Sequence, residues 1–363
     1  MKKGLMYGTF IIMTILILIN AQLSMEYVKK GLVLCYEIII PSLFPFFVCS
    51  SLLIYSGFAQ FLSRVFTPVM LPLFRINGSG STAFVLGIIS GYPLGAITAC
   101  SLYENRYLSK TETERLLGFC NNSGPLFILG AVGISLYQSP LIGWTLYISH
   151  ILAAFTVGIL FRFYNKNEFI APEYKLSQPD YKLNEIFSIS LQNSVSNILN
   201  VCGTVIFFSV AANILISFIS VQTWYSPVLI GLVEFTTGTV GISNANLPIA
   251  AKLILSSFIV GFAGLSVHFQ VMGIIAKHDL SMKPYILGKL MHAVFASLYM
   301  FAAMQFIPIN TAVFNPAQPL PNINGSFAVS SLYVCSTVLC VTAISILFGV
   351  WLMFVKSKKT EDL

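Results

Sequence analysis

The chain alternates between long apolar runs and short polar interruptions, and the run lengths predict its elements. Residues 5–24, 32–57, 116–135, 142–161, 188–218, 250–275, 286–306 and 327–355 are predominantly apolar. Each holds at least about the 20 residues a helix needs to cross the hydrocarbon of a bilayer. They predict eight transmembrane helices. Two further segments, 79–103 and 227–248, are apolar but interrupted by Gly, Ser, Thr and Pro. Irregular backbone at membrane depth survives only where protein covers it or where it lines a cavity. Each is therefore expected to enter and leave by one face, as a re-entrant helical hairpin.

Two of the crossings carry breaks of their own. Gly118-Phe119-Cys120-Asn121-Asn122-Ser123-Gly124-Pro125 lies inside one, and Gly261-Phe262-Ala263-Gly264-Leu265-Ser266-Val267-His268 lies 143 residues later inside another. The same offset lays Gly91-Tyr92-Pro93-Leu94-Gly95 over Glu234-Phe235-Thr236-Thr237-Gly238. Crossing, hairpin and broken crossing thus follow one another in both halves. Counting crossings makes the second set run opposite to the first. The expected fold is an all-α integral membrane protein of about eight transmembrane helices and two re-entrant hairpins, an inverted-topology repeat with broken helices. The expected divisions are a first helix and connection (1–31), a first gate repeat (32–135), a helix and cytoplasmic linker (136–187), a second gate repeat, inverted (188–275), and two C-terminal helices with a tail (276–363). Paired broken segments of this kind point to a solute site near the bilayer midplane.

Composition agrees with a membrane protein. Apolar residues make up 56% of the chain and charged residues 9%, against about 25% charged in a soluble domain; the mean hydropathy is +0.83. The net charge of +7 does not imply nucleic acid, because the basic residues sit between the apolar runs. Seventeen of the 20, among them Arg115, Lys277, Lys283 and Lys289, fall in segments expected to face the cytoplasm; Lys29, Lys30 and Lys252 do not. That bias sets both termini inside. Lys2 and Lys3 begin the first run as in a signal peptide, but no persuasive cleavage site closes it, so a retained first helix is expected. Residues 59–76 read as an amphipathic connection along the inner face, 163–184 as a solvated linker, and the charge-free stretch 307–326 as an outer connection.

The candidate chemistry is polar side chains at the breaks. Asn121, Asn122 and Ser123 stand mid-crossing, and Pro125 has no N–H for the carbonyl of Asn121. They suit a planar polar solute, or else a hydrogen-bond cluster between helices. Ser90, Gly91 and Tyr92 form the first hairpin tip, with Tyr92 placed either to stack on a ring or to pack. Glu234 is the acid of the second hairpin, beside Thr236 and Thr237; Ser266 and His268 follow the second break. Glu234 and His268 are the candidates for a coupling ion or proton. Asn193, Asn197 and Asn200 share one face of their helix. Glu37 precedes Pro41 and Pro45, which should bend the second crossing. His150 and His292 read as isolated. Seven cysteines without a CxxC read as small buried hydrophobes. The sequence has no HExxH, GxSxG, phosphate-binding loop or closely paired carboxylates, so no enzyme, metal or cofactor is expected. The expected partners are a small anionic or polar solute, membrane lipid and a coupling ion; an oligomer is compatible, nucleic acid is not.

Pro41-Ser42-Leu43-Phe44-Pro45-Phe46, Ser90-Gly91-Tyr92-Pro93-Leu94-Gly95 and Gly118 through Pro125 together resemble the sporulation integral membrane proteins with nucleoside-recognition, or gate, domains. The resemblance spans residues 30–350. It implies inverted gate repeats like those of concentrative nucleoside transporters. It further implies transport of dipicolinic acid from the mother cell across the outer forespore membrane, by alternating access. No arginine clamp for that dianion stands at the breaks, and Glu234 would repel it. A nucleoside or other small polar solute, carried with or without a proton or sodium ion, is the alternative; a non-transporting spore-envelope scaffold is another.

Overall fold

The computed structural model describes residues 2–56, 58–104, 106–165, 182–217 and 225–307. The crossing expected at 327–355, the outer connection after residue 307 and most of the linker 163–184 lie outside the described residues. Among the described residues every regular element is a helix.

α1 (Lys2–Ile19) and α2 (Ala21–Leu34) meet at a bend of 98°. The first expected crossing, 5–24, is therefore not one straight helix. The bend falls at Asn20, whose backbone leaves helical geometry (φ −104°, ψ 40°) and whose side chain bonds back to the carbonyl of Leu16 at 2.9 Å. α2 continues through a π-helical stretch, Cys35–Ile39, into α3 (Ile40–Tyr55). A π turn accommodates the missing donor and the bulk of Pro41 within a continuous helix. α4 (Phe58–Phe74) buries Met70 and Phe74, as an amphipathic connection should.

α5 (Gly80–Ser90) and α6 (Leu94–Glu104) fold back on each other: a Cβ added to Gly87 would lie 3.2 Å from the Cα of Gly95. α7 (Lys110–Cys120) then runs into the irregular Asn121–Gly124, after which a π-helical stretch, Leu126–Leu136, leads to α8 (Pro140–Phe161). α9 (Leu183–Ser217) is a single helix of 35 residues. α10 (Ser226–Val233) and α11 (Phe235–Asn244) form a second fold-back, with Gly231 against Gly238 and Pro227 against Gly241. α12 (Ile249–Phe262) and α13 (Gly264–Ile275) are separated by Ala263 (φ 73°) and Gly264 (φ 67°). α14 (Lys283–Met304) has 22 residues, as α8 does, and begins 143 residues after it.

Among the described residues four helical stretches are long and apolar enough to cross a membrane: Pro140–Phe161, Leu183–Leu215, Ile249–Ile275 and Lys283–Met304; α1 and α2 add a fifth if the bent pair is counted as one span. The protein is an all-α integral membrane protein. α14 is the strut at its centre, packing on α7, α8 and α12. Its Gly288 lies on the backbone of Gly118, and its Ala293 on Gly261, where an added Cβ would come within 2.8 Å of the Ala293 Cα. The two glycines that open the broken segments thus both let α14 approach.

The start of α7 is fixed by buried charge. Glu112 closes a capping box with Ser109 and accepts from the Asn77 amide at 2.8 Å. Glu114 accepts from the Ser281 amide and the Tyr164 hydroxyl. Arg115, 1% exposed, donates to the carbonyls of Arg75, Tyr164 and Asn165 at 2.8–2.9 Å. These bonds fasten the ends of α4 and α8 to the helix that carries the first break.

Candidate functional site

The first break is where backbone meets backbone. The carbonyl of Cys120 projects between Gly87 and Gly95, where any side chain would strike it. At the hairpin tip Gly91 takes φ 85° and ψ −170°, and a Cβ there would lie 2.8 Å from the Gly124 nitrogen. Only glycine combines that conformation with that approach. Asn121 Oδ1 accepts from the Ala96 amide at 3.4 Å, so the start of α6 is served from the break in α7. Asn122 Nδ2 donates to the Phe119 carbonyl at 2.9 Å, and the Ser123 amide donates to His150 Nε2 at 3.1 Å. The groups freed by the lost helical turn are in this way re-paired.

The second hairpin meets the second break by the same contact. A Cβ on Gly264 would lie 3.0 Å from the Phe235 nitrogen and 3.1 Å from the Gly231 carbonyl oxygen. Here the tip caps itself: the Glu234 carboxylate accepts from the amides of Thr236 and Thr237 at 3.1 and 2.7 Å and from the Thr236 hydroxyl at 2.6 Å. A carboxylate at a helix start satisfies donors that have no partner inside the helix. Thr237 Oγ1 donates to Ser209 Oγ of α9 at 3.3 Å. His268 Nδ1 is 2.7 Å from the Gly264 carbonyl oxygen, with its ring 4.8 Å from that of Phe262 and 5.3 Å from that of Tyr285.

The two tips also touch each other. The Tyr92 hydroxyl donates to the Val260 carbonyl at 2.9 Å, and its ring stands edge-on to Phe235 at 5.6 Å. Phe127, just past the first break, meets the same Phe235 at 5.1 Å. Between them is a cavity of about 40 Å³ bounded by Gly91, Tyr92, Ser123, Phe127, Phe235, Thr236, Ser266 and Gln270. A water needs roughly 10–15 Å³, and an organic ligand about 300 Å³ or more, so the space holds water alone. A larger cavity of about 740 Å³ lies between α6, α9 and α13; it is lined by Pro93, Ser101 and Glu104, by Asn197 and Asn200, and by Gln270 and Lys277. Gln270 faces both.

Of the candidates from sequence, Gly91, Tyr92, Ser123, Thr236 and Ser266 line the small cavity. Asn121, Asn122, Ser90, Thr237, Glu234 and His268 stand behind that lining, all but Thr237 buried. Asn197 and Asn200 line the larger cavity, whereas Asn193 bonds to the Tyr55 hydroxyl at 3.1 Å. Glu37 is exposed.

Sequence reasoning misplaced Lys289. Counted with the charges that face the cytoplasm, it is instead 1% exposed and donates to the carbonyl of Asn121 at 2.8 Å and to the Tyr92 hydroxyl at 3.4 Å. Its ammonium sits 5.0 Å from the centre of the Tyr92 ring. The signal was its position: Lys289 falls within the expected crossing 286–306 and, with Pro284 in the first turn, well inside α14. His150 and His292 are likewise not isolated. Their rings lie 4.2 Å apart, fully buried between α8 and α14. Among the described residues no group of three or more His, Cys, Asp or Glu is placed to hold a metal.

Two fold-back hairpins seated on two broken helices, in an all-α integral membrane protein, define a transporter-like molecule with gate elements. The gate family model described as nucleoside recognition matches residues 37–137, which take in the first hairpin and the first break. The chain is 32% identical over 345 residues to the sporulation integral membrane protein YlbJ of Bacillus subtilis (strain 168), covering 85% of this chain and 84% of that one. It belongs to that family of sporulation integral membrane proteins. Its membership and the gate match make it a transporter-like membrane protein.

Proposed function

We propose that this protein is a carrier for a small polar solute bearing a flat ring, a nucleoside in the first place, and that it works by alternating access. The observation that carries the reading is the meeting of both tips and both breaks around one cavity. The rings of Tyr92, Phe127 and Phe235 offer a stacking edge, and Ser123, Thr236, Ser266 and Gln270 offer hydrogen bonds. Asn121 Nδ2, Asn122 Oδ1, Ser266 Oγ and His268 Nε2 are buried with no partner among the described residues. Buried polar groups are nearly always paired, so these are groups that a solute or its water satisfies when a tip withdraws. The match to a nucleoside-recognition model favours the nucleoside.

The small cavity represents the shut gate, and the 740 Å³ cavity the vestibule through which solute arrives. Both hairpins are then re-entrant, the halves inverted, and each tip opens the site to one side of the membrane. A second reading, dipicolinate, draws on the relation to a sporulation protein and on the basic side chain of Lys289 buried beside the first tip. With it goes a place in the mother-cell membrane around the forespore.

The test is uptake of labelled uridine and labelled dipicolinate by purified protein in liposomes. A nucleoside carrier takes up uridine saturably. The double variant Ser123→Ala, Thr236→Val loses two hydrogen bonds of about 0.5–1.5 kcal/mol each, and uptake falls roughly tenfold. Saturable dipicolinate uptake alone establishes the second reading. Uptake of neither solute leaves a scaffold, and equal uptake by wild type and the double variant rejects the site.

A further inference from the structure

The buried amino group of Lys289 occupies a position lined by the kind of groups that hold a cation. α7 ends at Cys120 with its carbonyls unpaired by helix, the negative end of a half-helix. Asn121 has Pro125 four residues on, which has no N–H to give it. In carriers built from broken helices, such unwound carbonyls hold the coupling cation. Here the Asn121 carbonyl is held at 2.8 Å by Lys289 Nζ. The remaining contacts of that ammonium are the Tyr92 hydroxyl and the Tyr92 ring face. Carbonyl oxygen, hydroxyl oxygen and π face are neutral cation ligands. Among the described residues no carboxylate lies within ion-pair distance of Lys289; the ion pairs present are Lys30 with Glu26 and Lys110 with Asp279. The other titratable side chains around it are Cys120 of α7, His150 of α8, His268 of α13 and Tyr285 and His292 of α14.

The cation also holds the gate. It binds the residue whose side chain receives the Ala96 amide of the hairpin, and it binds the hairpin's own Tyr92. Break and tip are thus tied through one ammonium. At the second break the Gly264 carbonyl is paired with His268 of its own helix, and the position 143 residues before Lys289 is Leu146. The arrangement belongs to the first gate alone.

We infer that Lys289 is a covalently tethered cation standing where a coupling sodium ion would bind, so that the first gate closes without sodium. This rests on the carrier reading above and names how the first gate is held. The test uses the full chain, purified, with sodium chloride exchanged for choline chloride at constant ionic strength. Wild type should melt at the same temperature in both salts, and its solute flux should be equal in both. Lys289→Ala should melt roughly 5 °C or more lower in choline. It should recover with saturable dependence on sodium or ethylammonium, which fit the vacated space, and not on choline. A wild-type melting temperature or flux that rises saturably with sodium overturns the inference. So does a Lys289→Ala protein as stable as wild type in choline, or one that neither small cation restores. If Lys289→Ala does not fold, the wild-type sodium titration decides by itself. Because melting needs no solute, absence of flux with every solute counts against the carrier reading and leaves the melting result standing.

Discussion

Gly91→Ala separates a gate from a rigid turn. Two costs arise at this position. Alanine would have to adopt φ 85°, ψ −170°, a region reached almost only by glycine, at about 1–3 kcal/mol. Its Cβ would also stand 2.8 Å from the nitrogen and 3.1 Å from the Cα of Gly124. That neighbour is backbone and cannot rotate aside, so overpacking adds about 1–3 kcal/mol. The backbone strain travels with the tip wherever it goes. The clash exists only while the tip is seated on the break. On the carrier reading proposed above, the seated state is then disfavoured relative to a withdrawn one by about 1–3 kcal/mol, a population shift of roughly 5–150-fold. Gly124→Ala is the matched control. Its Cβ would lie 3.2 Å from the Gly91 nitrogen and from the Ser90 carbonyl, and Gly124 is not among the positive-φ residues. It tests the contact with little backbone strain and should shift the gate in the same direction by less. The assay is initial solute flux in liposomes alongside thermal melting in detergent. Gly91→Ala should lower both, and Gly124→Ala should change flux with a smaller effect on melting. Wild-type flux and melting in Gly91→Ala would refute the claim that this tip seats on this break.

Gly87→Ala should be more damaging than a usual helix Gly→Ala change, because the added methyl meets the Cys120 carbonyl oxygen and the Gly95 Cα on the facing arm; we expect a loss above about 3 kcal/mol, read as a fall in melting temperature. A protein stabilised by this change, as helix propensity alone would dictate, would contradict the packing of the hairpin on α7. Arg115→Ala should remove the donors to three partly buried carbonyls, at about 0.5–1.5 kcal/mol for each hydrogen bond lost; detergent-solubilised protein should lose helical signal at a lower temperature, and an unchanged melt would show that water replaces the guanidinium.

The elements themselves were legible from local chemistry. Apolar runs of membrane length marked α8, α9 and α14, and the bunching of Gly and Pro at 91–95 and 121–125 marked the first tip and the first break. These features depend on hydropathy and on φ restriction, which act within a few residues of chain. Asn20 was less legible, since a lone amide in an apolar run gives no warning of a 98° bend. Glu234, read from the sequence as a candidate for a coupling ion or proton, proves to cap α11 through the amides of the two threonines beside it. Lys289 does not show its partner, because the carbonyl it binds is 168 residues away and the positive-inside rule counts a lysine before asking where its helix begins. The stacking of His150 on His292 and the shared wall at Gln270 have the same origin. Only the packing of α14 between the two breaks decides which polar groups meet, because that packing follows from complementarity of distant surfaces and not from any periodicity along the chain.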